Sequence, residues 1–297
     1  VVGDPLQIEP VFTVPIKLIE ALARTAQLPA GQPVEPHLAS VQNLADEANA
    51  LGARIEVDGT GQWIGSPLRV HRRCVDPMFT IANQIAYRGK MIYFDQHDPA
   101  LRPPPSGSLD VGPSAWVDVG GAAQDKQAVP EQIELVCRAI VELTLRTGEL
   151  PALYVISPFR RIKEALARRL VNGDVWPVAR QPSPRALREW CRTRIGTVHT
   201  FQGKEESMVW MVLGCDAATR GAAVWAAGKP NLFNVALTRA QHRFFLIGDA
   251  RLWGGLPHFA DASPALLPRI RPDVFLRRVG TGTAGAMDAA AGTCVNG

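Results

Sequence analysis

Short runs of apolar residues alternate along the chain with longer stretches in which apolar residues recur every three or four positions. The short runs have the length and the β-branched or aromatic content of buried strands. Four of them are especially clear, namely AWVDV at 115–119, LYVIS at 153–157, MVWMVLG at 208–214 and FFLIGD at 244–249. Strands separated by helices predict an α/β fold with a parallel sheet.

Two of the intervening stretches have the spacing of amphipathic helices. One begins at Pro130 and stops at Gly148, and the other begins at Arg161 and stops at Gly173. Proline in the first turn and glycine after the last turn are typical helix boundaries. Strand, helix and strand in this order imply parallel pairing with right-handed crossovers. Functional residues in such sheets are expected in loops beyond the carboxyl ends of the strands.

The chain divides into three parts. Residues 1–66 contain one strand end, helical stretches and a Gly-rich connection, whereas residues 67–260 carry the regular α/β pattern. Residues 261–297 form a tail rich in small residues, for which disorder is expected from about residue 270. A Pro-rich loop is predicted at 98–113.

Composition narrows the class of protein. With 297 residues and 46% hydrophobic content, the chain can bury one or two cores. A net charge of +4 permits a nucleic-acid partner without requiring one. The five cysteines lack metal-site spacing, which predicts reduced core thiols and no metal site. No apolar run approaches a membrane span, and no signal peptide is evident, so a cytoplasmic protein without membrane contact is expected. The start VVGDPLQ lacks a methionine and indicates a piece of a longer protein.

Charged and polar residues concentrate at four boundaries between predicted elements. These are GDPLQ at 3–7, VHRR at 70–73, HTFQGKEE at 199–206 and ALTRA at 236–240. The first two also have ordinary interpretations, as a turn and as a solvated basic corner. The third offers an amide, a close backbone approach and a carboxylate in one loop. The fourth ends an apolar helical run with an arginine, the side chain suited to a buried bidentate phosphate contact.

In their order and approximate spacing, these stretches resemble the motifs of superfamily 1 helicases, in the branch of the nonsense-mediated-decay RNA helicase and its bacterial relatives. GDPLQIEP resembles motif III, LRVHRRCVDPMFTIANQIAYRGKM motif IV, GTVHTFQGKEESMVWMVL motif V and NLFNVALTRAQHRFFLIGD motif VI. The resemblance covers residues 1 to about 255 and implies the C-terminal portion of such a helicase. Residues 1–66 would end a first RecA-like domain, and residues 67–260 would form a second RecA-like domain, a parallel sheet flanked by helices.

The resemblance also implies roles for individual residues. ATP and Mg²⁺ would lie between the two RecA-like domains, held mainly by the N-terminal one. Gln7, Arg73 and Arg239 would be catalytic, Gly3, Asp4, Gln202, Gly203 and Glu205 would bind the nucleotide, and Thr197, His199 and Thr200 would contact single-stranded nucleic acid. Arg239 is therefore expected to point away from its own core. Relatives often have tyrosine at the position of Arg72, which leaves the choice between Arg72 and Arg73 open.

Two motifs that an ATPase needs are absent from the sequence. No Gly-Lys pair fits the phosphate loop G-x-x-x-x-G-K-[ST]. The carboxylates that hold Mg²⁺ should end a buried strand, whereas Asp46 and Glu47 lie in a helical stretch and are predicted to form its solvated face. In the family these motifs precede motif III. The chain is therefore expected to carry half of an ATPase site and to be inactive alone, while the full protein hydrolyses ATP and unwinds DNA or RNA.

Other functions stay open at this point. A RecA-like nucleic-acid-binding or scaffold module without ATPase activity is one, although a scaffold has no use for Gln7, Arg73, Gln202, Glu205 and Arg239 together. A helicase-nuclease fusion is another, and these residues do not test it. A small-molecule α/β enzyme is disfavoured because a G-x-G-x-x-G turn and an acid-base-nucleophile group are missing. No single residue indicates whether the substrate is DNA or RNA, or in which direction the protein moves along the strand.

Overall fold

A computed structural model of the chain describes residues 14–27, 41–57, 60–66, 69–94 and 110–291. Its strands are β1 (Gly52–Val57), β2 (Thr60–Gly65), β3 (Val70–His71), β4 (Ile92–Tyr93), β5 (Ala115–Asp118), β6 (Tyr154–Ser157), β7 (Ile195–Thr197), β8 (Glu206–Val212), β9 (Ala240–Gly248) and β10 (Arg269–Ile270). Its helices are α1 (Ile16–Thr25), α2 (Val41–Glu47), α3 (Met78–Ile85), α4 (Pro130–Thr147), α5 (Arg160–Asn172), α6 (Pro184–Arg194), α7 (Arg220–Ala227), α8 (Asn231–Leu237), α9 (Ala250–Trp253) and α10 (Pro272–Ala291). Gly3, Asp4, Gln7 and most of the Pro-rich loop lie outside the described residues.

Six strands form one sheet in the order β10-β5-β9-β8-β6-β7. Every neighbouring pair in it is parallel. The central strands carry unbroken apolar runs because both faces of the sheet are covered. Residues 208–212 and 244–248 are accordingly buried throughout. The predicted α/β fold with a parallel sheet is confirmed.

Helices pack on both faces of this sheet. α4 connects β5 to β6 and α5 leads from β6 to β7, so both connections run toward the β7 edge of the sheet. α7 and α8 connect β8 to β9, which runs toward the β10 edge. Right-handed crossovers in opposite directions place the two pairs of helices on opposite faces. α4 packs against α5 and α10, and α8 packs against α3 and α7. The predicted boundaries of α4 hold, since Pro130 opens it and Gly148 follows it with a φ of 81°.

Residues 41–66 form α2 followed by an antiparallel hairpin of β1 and β2. The prediction that Asp46 is solvated is wrong, because Asp46 is only 2% exposed. Its Oδ1 accepts hydrogen bonds from the amide of Gly65 at 3.1 Å and from Nε2 of Gln42 at 2.9 Å. The hairpin folds back on α2 and brings a partner from 19 residues away. Glu47 is exposed, as expected.

Residues beyond 260 extend the sheet and its helical layer. β10 pairs with β5, and α10 packs on α4. Phe275 and Val279 of α10 are fully buried, and the Phe275 ring lies 5.3 Å from that of Trp210. The expectation of disorder from about residue 270 is therefore wrong for residues 272–282, because apolar residues at helical spacing give this segment a face that packs on the core.

The described cysteines are core thiols, as predicted. All four are buried and free of disulfides, namely Cys74, Cys137, Cys191 and Cys215. Burial raises the pKa of the Cys191 and Cys215 thiols to about 11, so these thiols are protonated at neutral pH. Within the described ranges, no group of three or more His, Cys, Asp or Glu side chains could hold a metal ion. No helix in the same ranges has both the length and the apolar content needed to cross a membrane.

Candidate functional site

Three charged side chains from separate parts of the chain meet at the amino edge of the sheet. Glu205 immediately precedes β8, Arg239 immediately precedes β9, and these neighbouring strands begin with Glu206 opposite Ala240. Arg73 follows β3, and its Nε lies 3.5 Å from Oε2 of Glu205. The charges of Arg73 and Glu205 both act on the pKa of Arg239. We refer to Arg73, Glu205 and Arg239 as the arginine cluster.

Arg239 is the most enclosed member of the arginine cluster and has no exposed surface. Its Nη1 donates to the carbonyl of Lys204 at 2.9 Å. Its Nε donates to the carbonyl of Val235 at 3.2 Å, and its Nη2 donates to Oγ1 of Thr238 at 3.2 Å. The expectation that Arg239 points away from its own core is wrong in this conformation. The hydrogen bonds of its guanidinium are accepted by neutral oxygens at the end of α8 and in the loop before β8.

Burial and like charge both weaken the hold of Arg239 on its proton. Desolvation by burial, and after it the positive charge of Arg73, lower the pKa of Arg239 to about 10. The guanidinium is still protonated at neutral pH. It is therefore a buried cation that lies beside a second cation.

Arg73, and not Arg72, belongs to the arginine cluster. The guanidinium carbon of Arg72 lies 4.2 Å from the ring centroid of Phe94, a cation–π arrangement that points Arg72 to a different contact. The side chains of Arg73 and Glu205 are 37% and 50% exposed. The ion pair between them is therefore open to exchange with solvent or ligand.

Gln241 is a member of this site that the sequence reasoning missed. Its Nε2 donates to Oε1 of Glu205 at 2.9 Å, and its carbonyl accepts from the amide of Val75 at 3.1 Å. Gln241 thus links Glu205 to the segment that follows Arg73. The available signal was its position two residues after Arg239 at the start of β9, because alternate residues of an extended chain point to the same side.

The loop before Glu205 has room for a ligand. Gly203 adopts a φ of 80°, and a Cβ atom built on it would meet no atom within 4 Å in the part of the chain that the structure describes. The neighbouring residues Gln202 and Lys204 are exposed. The positive φ favours glycine here, and the open space beside it allows another molecule to approach the backbone.

The predicted nucleic-acid residues lie toward the opposite edge of the sheet. Thr197 ends β7 and pairs in register with Ser157, the last residue of β6. β6 also pairs with β8, and this register puts Thr197 level with the carboxyl end of β8. Glu206 begins β8, at a distance of about 20 Å along the strand direction. The Oγ1 atoms of Thr197 and Thr200 are 3.3 Å apart, and His199 is exposed beside them.

The described site residues therefore separate into two groups. Arg73, Gln202, Gly203, Glu205 and Arg239 lie at the amino edge or in the loop that leads to it, and Thr197, His199 and Thr200 lie toward the carboxyl edge. Thr197 lies at the carboxyl end of β7, the kind of position where functional residues were expected, whereas Glu205 and Arg239 precede their strands. The segment 198–205 runs back along the sheet and connects the two edges.

A concentration of positive charge on α5 and α6 was also missed. Residues 160–194 contain ten Lys and Arg against three Asp and Glu, whereas the whole chain has a net charge of only +4. Arg168, Arg180, Arg185 and Arg188 are exposed members of this segment. The concentration can be found from the sequence when the net charge is counted in successive segments of the chain and not only for the chain as a whole.

The parallel sheet with helices on both faces defines the chain as a RecA-like α/β protein. A family model described as AAA domain matches residues 56–251, well over half of the chain, and the chain belongs to that family. Because the family is typical of superfamily 1 helicases, the resemblance drawn from the motifs is confirmed.

The chain is also similar to a chicken (Gallus gallus) protein named putative helicase MOV-10. The two are 28% identical over 110 residues, which is 35% of this chain and 11% of the relative. The chain thus spans about a tenth of the length of the curated relative that it matches.

Proposed function

We propose that this chain is the C-terminal portion of an ATP-dependent superfamily 1 helicase for DNA or RNA. It would supply arginines to an ATP site shared with an N-terminal RecA-like domain of the same protein. The observation that carries the proposal is the convergence of Arg73, Glu205 and Arg239 at one edge of the sheet. Residues 1–66 would end the first domain and residues 67–260 would form the second.

The arginine cluster favours a polyanionic ligand. Arg73 lowers the pKa of Arg239, which means that the two guanidinium groups repel each other. Glu205 offsets this only in part, because its ion pair with Arg73 is partly exposed and such pairs contribute less than about 1 kcal/mol. A triphosphate would supply negative charge to both arginines, with the bidentate geometry that guanidinium groups prefer.

The residues of the site fit a nucleoside triphosphate. Arg73 and Arg239 would contact phosphate oxygens, and Glu205 would accept hydrogen bonds from ribose hydroxyls. The open space beside Gly203 would let the backbone and Gln202 come close to the nucleotide. Gly3, Asp4 and Gln7 would contribute from the first domain, which would also hold most of the contacts to Mg²⁺.

Arg239 would change its partners when ATP binds. Its present acceptors are two carbonyls and a hydroxyl. Phosphate oxygens compete well for the same donors, because they add a negative charge and a bidentate geometry that neutral carbonyl and hydroxyl oxygens lack. A positive charge aimed at the transferred phosphoryl group is worth about 10³ to 10⁵ in rate.

A single strand of DNA or RNA would bind toward the carboxyl edge. The hydroxyls of Thr197 and Thr200 and the exposed His199 offer contacts to a sugar-phosphate backbone. The positive charge of residues 160–194 supports binding of this kind. Contacts to the backbone give affinity without a choice of sequence.

The test is ATP hydrolysis stimulated by single-stranded nucleic acid, measured on the full protein that carries a phosphate loop. Arg73→Gln should lower turnover by about 10³ or more. Arg72→Gln is the matched control, because Arg72 is adjacent but stacks on Phe94, and it should keep most of the activity. Single-stranded DNA and RNA are compared to identify the substrate, and the 297-residue chain by itself should hydrolyse no ATP. Absence of stimulated hydrolysis in the wild type would favour a RecA-like scaffold module instead. Equal losses in the two variants would contradict the placement of Arg73 at the ATP site.

A further inference from the structure

Trp225 on α7 is the exception among the tryptophans of this chain. It is 66% exposed, whereas the other six of the seven are buried or half-buried. Tryptophan is on average a highly buried residue, because its large apolar surface is costly to leave in water. Val224 beside it is 46% exposed. Trp225 therefore presents a large aromatic surface that the fold does not use.

Trp225 lies near the end of the sheet where Thr197 is found. Its ring centroid is 6.4 Å from that of Phe159, which is buried at the turn between β6 and α5. The amide of Phe159 donates to Oγ of Ser157 at 3.2 Å, and Ser157 is the register partner of Thr197. A series of contacts through Phe159 and Ser157 thus connects Trp225 to Thr197, whose hydroxyl is proposed to contact the nucleic-acid backbone.

Positive charge follows Phe159, the ring partner of Trp225, along the chain. Arg160 directly follows Phe159, and its side chain is 85% exposed and paired with Glu164 at 3.0 Å. It opens the basic segment 160–194 described above. An exposed aromatic ring beside hydroxyl and cationic groups is the combination with which proteins bind single strands, since bases stack on the ring while the backbone contacts the polar groups.

We propose that Trp225 stacks on a nucleobase of a single strand whose backbone runs past Thr197 and Thr200. The proposal rests on the proposed function of the carboxyl edge and adds a contact to bases. Because every base has an aromatic face, the contact is independent of sequence. Loss of one stacked base should weaken binding about 5- to 150-fold.

The experiment measures binding of the 297-residue chain to a labelled single strand over a range of salt concentrations. A second ligand is an abasic strand of the same length, which keeps the sugar-phosphate backbone and lacks the bases. Trp225→Ala is compared with Trp225→Phe, which keeps an aromatic ring. The control is Val178→Ala, which removes another exposed apolar side chain, 96% exposed, on the basic segment. Circular dichroism checks that each variant is folded.

We expect Trp225→Ala to bind the normal strand 5- to 150-fold more weakly, and the abasic strand as tightly as the wild type does. The slope of affinity against salt should not change, because no phosphate contact is lost. Trp225→Phe should keep most of the affinity, and Val178→Ala should keep all of it.

Two results would overturn the inference while leaving the proposed function intact. One is equal binding of the normal strand by Trp225→Ala and the wild type. The other is an equal loss for the normal and the abasic strand, which would mean that Trp225 does not contact bases. If the wild type binds neither strand at low salt, both the inference and the proposed nucleic-acid edge are wrong.

Discussion

Replacement of Arg239 by methionine tests how much of its role is structural. Methionine keeps much of the side-chain length and removes the charge. Three hydrogen bonds from a charged donor are lost, at about 1.5 kcal/mol each for bonds of this length, or about 4.5 kcal/mol together. The lowered pKa of about 10 shows that the folded protein disfavours the charged form, by about 3 kcal/mol relative to water. The variant avoids that cost, so the net loss of stability should be only about 1.5 kcal/mol.

Urea unfolding of the 297-residue chain, followed by circular dichroism, measures this difference. Arg168→Met is the matched control, because Arg168 is exposed on α5 and its replacement should change the free energy of unfolding by less than about 0.5 kcal/mol. A loss of about 4 kcal/mol or more for Arg239→Met would refute the reasoning. It would mean that the guanidinium is a structural centre of the core, and not a group held ready for another partner.

Three further predictions concern stability. Gly203→Ala should lower the free energy of unfolding by about 1 kcal/mol, because φ is 80° there. Gly255 also lies in open space but has no positive φ, so Gly255→Ala should be nearly neutral. Equal effects of the two substitutions in urea unfolding would contradict this. Burial raises the pKa of the Cys191 thiol to about 11, so the unfolded chain loses this proton first and the contribution of the thiol to stability falls as the pH rises from about 9 to 11. The stability advantage of the wild type over Cys191→Ala should therefore shrink by about 1 kcal/mol between pH 8 and pH 10, and a constant difference would show that the thiol does not titrate in this way. Asp46→Ala should speed hydrogen exchange of the Gly65 amide in β2 about 5- to 30-fold, because this amide donates to Asp46. Glu47→Ala, at the exposed neighbouring position, should leave this exchange rate unchanged. An unchanged rate in both variants would mean that the Asp46 contact is not formed in solution.

Local patterns account for the parts of the fold that could be predicted. The unbroken apolar run of β8 and the proline and glycine at the ends of α4 depend on neighbours within a few residues. The pattern of residues 275–279 was present as well, but the small residues that follow them favoured an expectation of disorder. Asp46 shows the limit of local reasoning, because the amide that buries it comes from a hairpin 19 residues away.

The sequence by itself determined the family of this protein and the kind of residues at its site. Motif order and spacing are properties of the chain, and they indicated Glu205, Arg239 and one arginine of the pair Arg72 and Arg73. The choice of Arg73 over Arg72 came only from the tertiary structure, since adjacent residues differ by which distant partner each one meets.

The tertiary structure also decided where the groups of the site lie. Parallel pairing puts the starts of β8 and β9 side by side, and so brings Glu205 and Arg239 together across more than 30 residues of chain. The same pairing puts Thr197 level with the far end of these strands, although only a short loop separates it from Glu205. Which residues share an edge depends on strand order and register, and these are set by contacts between elements that are remote in sequence.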